Sequence, residues 1–338
     1  REWGATDLVM AVMPARDERQ RIGALGTAAD YFLARGVTWA QDAWVEPDDV
    51  ATWELAAGEV RANLALLAEP DGWRDQLPWF VEVKVSGGDR LTADAIKFFA
   101  DGVLESGTAH MLEPYCGCSG HGMPNWSPVE LAAAVTAVVG LGFQPHVHAI
   151  GDAGVRVALD AFAAAASVHG HAGRPVIAHC QVVDPADVPR FASLQVTANF
   201  QPLWAQLDAD QELLTQPRLG QVRSSRQYQI ARLLHSGANV SFGSDWPITS
   251  GNPLAGIAVA VTRQTADGNP HGGWLPQERV SVEQALSAYT AGVARQVGAT
   301  DWGTLVLGNR AEFAWLAVDP RVVEPLAIAD IEIKALPK

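Results

Sequence analysis

Two histidines one residue apart, at the end of a short apolar run, constrain this chain more than any other feature. The run is Phe143-Gln-Pro-His-Val-His-Ala-Ile-Gly-Asp152. It reads as a buried strand that ends in a turn, with a helix opening at Ala153. Side chains two apart on a strand share a face. His146 and His148 therefore project together, and Val147 projects the other way. Such a pair suits a metal site at a strand end, or two core histidines bonded to backbone.

The same design recurs along the chain. Ala95-Ile-Lys97-Phe-Phe-Ala-Asp101-Gly, Val176-Ile-Ala-His179 and Val240-Ser-Phe-Gly-Ser-Asp245 are further apolar runs ending in groups that bind metal or move protons. Helical stretches separate them: about 18–35, 50–67, 127–141, 153–168, 185–191, 225–236, 253–265 and 282–297. Strand–helix alternation implies a parallel sheet. Seven core strands are expected to end near residues 42, 85, 101, 148, 179, 200 and 245. Among them, 37–42 and 79–85 are read as the first two, with a turn at Ser86–Asp89. That order suits a (β/α)₈ barrel, whose active site sits at the C-terminal strand ends. An open doubly wound sheet lacks support, since no G-x-G-x-x-G follows a strand. The 103–127 stretch is a long loop rich in Gly and Pro, of a length often used for lids. Beyond residue 303 two short strands, 304–308 and 312–319, suggest a small β-domain.

The 338 residues are 48% hydrophobic and carry a net charge of −14 with no basic run. This disfavours nucleic acid or an anionic membrane surface as partner. No apolar run reaches the ~18 residues that span a bilayer, and no signal-peptide pattern opens the chain. The three cysteines are Cys116, Cys118 and Cys180, a low, odd count that suits a reducing, cytoplasmic setting. Cys116-Gly-Cys118 with His121 lacks a fourth ligand at zinc-finger spacing, so it reads first as loop.

With these motifs in order, the chain resembles amidohydrolase family 3 of the metal-dependent amidohydrolase superfamily, the branch with N-substituted formamide deformylase-like enzymes. The resemblance rests on Gly36-Val-Thr-Trp-Ala-Gln-Asp42, Ile96-Lys-Phe-Phe-Ala-Asp-Gly102, Leu112-Glu-Pro-Tyr115, His148-Ala-Ile-Gly-Asp152, Ala178-His-Cys-Gln181, Gly243-Ser-Asp-Trp-Pro247 and Gly303–Phe313. It implies a distorted TIM barrel over residues 1–300 and, over 301–338, the C-terminal part of a small composite β-domain. It also implies one or two divalent metals, usually zinc, and hydrolysis of a non-peptide C–N bond in a small amide-type substrate. His148 and His179 would be ligands, Lys97 a carboxylated lysine bridging metals, and Asp245 a ligand and general base. The family's first strand ends in its own H-x-H, yet the first histidine here is His110. The expectation is therefore a barrel without its first strand, inactive and weak in metal binding by itself.

The residues keep other readings open. Lys97 can bind metal only once neutral, which burial favours; otherwise it pairs with Asp101 or another acid. Asp245 can accept a proton from activated water, or merely cap its turn. Asp101, His146 and Gln201 suit orientation of ligands or substrate. Arg223 and Tyr228 precede the last strand and serve either substrate or structure. Trp204 and Trp246 face substrate or pack. Functionally, a metal-dependent deaminase and a truncated barrel that binds a ligand without turnover remain alternatives, as does a homodimer.

Overall fold

A computed structural model describes residues 3–56, 60–86, 88 and 90–335. Seven strands form one curved parallel sheet in chain order: β1 Trp39–Val45, β2 Arg61–Leu67, β3 Leu91–Phe99, β4 Gln144–Ala149, β5 Val176–His179, β6 Thr197–Phe200 and β7 Asn239–Phe242. Every neighbouring pair is parallel. The fold is α/β and TIM-like. Among the described residues no strand pairs with the outer edge of β1 or of β7. Beyond the sheet, β8 Trp315–Leu316 and β9 Ile333–Ala335 make a small antiparallel pair.

The outer face of the sheet makes the core. Phe98, Val147, Ile177 and Ala198 are fully buried beneath helices that include Pro128–Gly140 and Asp152–His169. The first of these helices opens where local chemistry favours it. Ser127 accepts from the Glu130 N–H, and Pro128 takes the first turn, where its missing donor costs nothing. No helix among the described residues is long and apolar enough to cross a membrane.

Two expected elements change identity. Residues 79–85 are not a strand; they lie in the helix Trp73–Ser86. Val81, Val83 and Val85 alternate like a strand, but Trp73, Phe80 and Val83 are the buried set, seven and three apart, which is helical spacing. The second strand is instead β2, inside the stretch expected to be helical to residue 67. That helix ends at Leu55. β2 reads Arg-Ala-Asn-Leu-Ala-Leu-Leu, rich in good helix formers, and burial between β1 and β3 overrides propensity. The helix expected over 282–297 is two, Val282–Tyr289 and Ala291–Val297, broken at Thr290. Residues 304–308 form no strand. The Ser86–Asp89 turn falls partly outside the described residues.

Phe98 lies on β3 with its ring edge-on to Trp126 at 5.5 Å. Phe98→Ala leaves a cavity there and should cost about 3–5 kcal/mol of stability, read as a shifted urea midpoint with an unchanged slope.

Candidate metal centre

Strand register decides which side chains meet. Across β3 and β4, Lys97 pairs with His146 and Phe99 with His148, so all four share the inner face. His148 in turn is level with Ala178 on β5, and strict alternation would then turn His179 outward. The backbone prevents this. His179 has φ 79° and Cys180 has φ 46°, left-handed values that cost a non-glycine residue about 1–3 kcal/mol. The reversal brings the His179 ring to 4.6 Å from the His148 ring, edge to face. Trp204 stacks flat on His179 at 5.0 Å, and Phe99 lies 5.0 Å from His148.

The hydrogen bonds of the two rings fix their protons. His148 Nε2 lies 3.0 Å from the Gly102 carbonyl oxygen, an acceptor only, so Nε2 carries the proton and donates. His179 Nδ1 lies 2.7 Å from Gln201 Oε1, also an acceptor, so His179 donates from Nδ1. That leaves a lone pair on His148 Nδ1 and on His179 Nε2, neither hydrogen-bonded among the described residues. Burial keeps both rings neutral. It pushes His179 down to about 3, aided by the Lys97 charge, and His148 well below the usual imidazole range, aided by His179 and Lys97. His146 is likewise held far down by burial, and its Nδ1 meets Gln41 Nε2 at 3.0 Å.

Lys97 is 3% exposed. Burial lowers its ammonium to about 8, partly offset by Asp245. Its Nζ sits 4.7 Å from the Phe99 ring centre, and among the described residues it forms no ion pair. Asp245 follows β7 with φ 54°. It keeps contact with solvent, yet surrounding protein raises its carboxyl and Lys97 pulls it back down.

Asp101 occupies a different position, beneath the site. One carboxylate oxygen accepts from the Ile150 N–H and the other from His110 and Gly151. His148 Nε2 lies 3.6 Å away. Burial pushes this carboxyl up to about 7 against the pull of those donors. Arg223, Tyr228 and Trp246 have partners elsewhere. Arg223 donates to the carbonyls of Leu219 and Glu113. Tyr228 is buried beside Trp274. Trp246 stacks on Tyr31. In the 103–127 loop, His121 Nδ1 bonds the Met111 carbonyl. Sequence reasoning overlooked Gln41 as a partner of His146, although its alternation with Trp39 on β1 gave a signal. It also overlooked Phe99, which the register of β3 reveals only in the fold.

The donors suit a divalent ion in kind: two neutral imidazoles with free lone pairs, each oriented by a bond from its other nitrogen, the arrangement that metal-binding histidines use. They do not complete a set. Among the described residues no three His, Cys, Asp or Glu side chains lie together at metal-holding distance; Lys97 and His146 share the inner face with His148.

A family model described as the amidohydrolase family matches residues 1–336. The Arabidopsis thaliana "Protein LONG AFTER FAR-RED 3" is 30% identical over 319 residues, covering 90% of this chain and 54% of that protein. The Arthrobacter pascens "N-substituted formamide deformylase" is 24% identical over 321 residues, covering 90% of this chain and 57% of that protein. The crystal structure of an uncharacterized metal-dependent hydrolase from Pyrococcus furiosus superposes with a TM-score of 0.80 at 26% identity, covering 95% of this chain and 65% of that one. The chain thus spans about half the length of these curated relatives.

Asp101→Asn replaces one acceptor oxygen by an amide that faces N–H donors. The loss of charged acceptance should destabilise the fold by about 2–3 kcal/mol, and backbone amides 110, 150 and 151 should lose hydrogen-exchange protection.

Proposed function

The chain belongs to the amidohydrolase family, and we propose that it forms the metal-holding barrel of a hydrolase that cleaves a non-peptide C–N bond in a small amide-type substrate. The observation that carries this is the pair of free lone pairs, His148 Nδ1 and His179 Nε2, on neutral rings 4.6 Å apart. Those two atoms would hold a divalent ion. Zinc is the first candidate, because it takes imidazole nitrogens with oxygen donors. Lys97 would add a ligand as its carbamate, since burial brings a neutral amine within reach near pH 8, and Asp245 would face the same centre. When bound, such an ion lowers the pKa of water to about 7 and polarises a carbonyl.

The chain's own residues divide the remaining work. Asp245 takes the proton from the attacking water as the new C–O bond forms. It returns that proton to the leaving nitrogen as the C–N bond breaks, giving an acid and an amine. Its raised carboxyl and its nearness to Lys97 support that role. Trp204 walls the site beside His179, and among the described residues its buried indole N–H has no partner. Asp101, through its hold on the backbone after β4, fixes where His148 stands. Residues 301–338, with the β8–β9 pair, would belong to a small composite β-domain.

The test is turnover of a panel of N-substituted formamides, amides and cyclic amidines, with bound metal measured in parallel. In the full-length protein, His179→Ala should lose metal and activity together; metal at the wild-type level would contradict the ligand assignment. Ammonia release from cyclic amidines alone would move the reading to a deaminase, and binding without turnover to a non-catalytic barrel.

Asp245→Asn should keep the fold and lower kcat by about 10²-fold, while near-normal turnover would remove Asp245 from the mechanism.

A further inference from the structure

Inside the sheet a single file of polar side chains runs from His179 to His146. Gln201 accepts from His179 Nδ1 through Oε1, and its Nε2 donates to Asn199 Oδ1 at 2.8 Å. Asn199 Nδ2 donates to Ser241 Oγ at 2.9 Å and reaches Gln296 Oε1 at 3.4 Å. Ser241 Oγ donates to Gln296 Oε1 at 2.5 Å. Gln296 Nε2 then donates to Gln41 Oε1 at 3.3 Å, and Gln41 Nε2 meets His146 Nδ1 at 3.0 Å. Gln296 belongs to the helix Ala291–Val297 and is 3% exposed. It joins Ser241 on β7 to Gln41 on β1, the two outer strands of the sheet.

Each amide in this file has one accepting and one donating end. If one amide turned alone, donor would face donor and acceptor would face acceptor in a buried place, at a cost of about 1–3 kcal/mol per orphan group. The file therefore has two consistent polarities. In one, His179 carries its proton on Nδ1 and His146 accepts at Nδ1. In the other, both assignments reverse.

We infer that Gln201, Asn199, Ser241, Gln296 and Gln41 form a relay that forces His179 and His146 into opposite tautomers, with Gln296 as the positioning residue that carries polarity across the sheet. The observed polarity leaves His179 Nε2 with a lone pair and puts the His146 proton on Nε2. The coupling rests on the hydrogen bonds alone. Its consequence rests on the functional reading above: whatever takes the His179 Nε2 lone pair also fixes His146 as an Nε2 donor, in a cluster with Lys97 and His148.

The experiment is a two-bond ¹H–¹⁵N correlation spectrum of the full metal-free chain labelled with ¹⁵N-histidine, in which the two neutral tautomers have distinct patterns. Wild type should show the proton on Nδ1 of His179 and on Nε2 of His146. Gln41→Glu presents oxygen at both ends, so it should move a proton onto His146 Nδ1 and leave His179 unchanged. The same tautomer at both rings in wild type, or a folded Gln41→Glu variant whose His146 Nδ1 stays bare, would overturn the relay. If that variant does not fold, the wild-type tautomers decide alone. Metal-free spectra keep the outcome separate from the hydrolase reading, which stands or falls on turnover.

Discussion

The Asp101 carboxylate is the contact on which the geometry of the site depends. It follows β3, yet its oxygens hold the backbone N–H groups of Ile150 and Gly151 after β4 and of His110 in the long loop. Two segments, the turn after β4 and the long loop, are thereby tied to one buried carboxyl group. The space around it is already full: a Cβ at Gly154 would stand 2.6 Å from its Oδ2, so the helix after β4 can approach only with glycine there. His148 sits two residues before Ile150 and donates to the carbonyl of Gly102, the neighbour of Asp101. The ring cannot turn without disturbing that junction.

Burial supplies the rest of the chemistry. Charged imidazole is disfavoured beside buried Lys97, so the rings present lone pairs rather than protons to the centre. The same burial brings the Lys97 amine to about 8, where a neutral, nucleophilic fraction exists at ordinary pH. The left-handed backbone at His179 is the cost of this arrangement, since a regular strand would direct that ring into the outer core. Strain held at a site that gathers buried polar groups is a common companion of function.

Much of this was legible in the sequence, and the failures have physical causes. β3, β4 and β5 are short apolar runs ended by a polar group, and period and ending agree. The placement of His146 and His148 on one face follows from alternation alone; that Lys97 joins them depends on the register of β3 against β4. The placement of His179 beside them does not follow from alternation, because its face depends on a φ reversal that no residue type announces. β2 and the 73–86 helix were misread because local preference and periodicity pointed the wrong way: leucine and alanine in a strand, alternating valines in a helix. Gln296 gave no signal at all. It is an ordinary polar residue near a helix end, and only the fold brings it between β1 and β7. Arg223, Tyr228 and Trp246, which the sequence left open between substrate and structure, contact the Glu113 carbonyl, Trp274 and Tyr31.

The central claim is that His148 and His179 present one lone pair each to a shared ion. Crystals of the chain soaked with zinc, measured on both sides of the zinc absorption edge, test it directly. The account predicts an anomalous peak about 2.0–2.1 Å from both His148 Nδ1 and His179 Nε2, the usual zinc–imidazole distance. The Gly102 and Gln201 hydrogen bonds should remain intact. Zinc bound through His148 Nε2 or His179 Nδ1, or no peak between the two rings at saturating zinc, would contradict it.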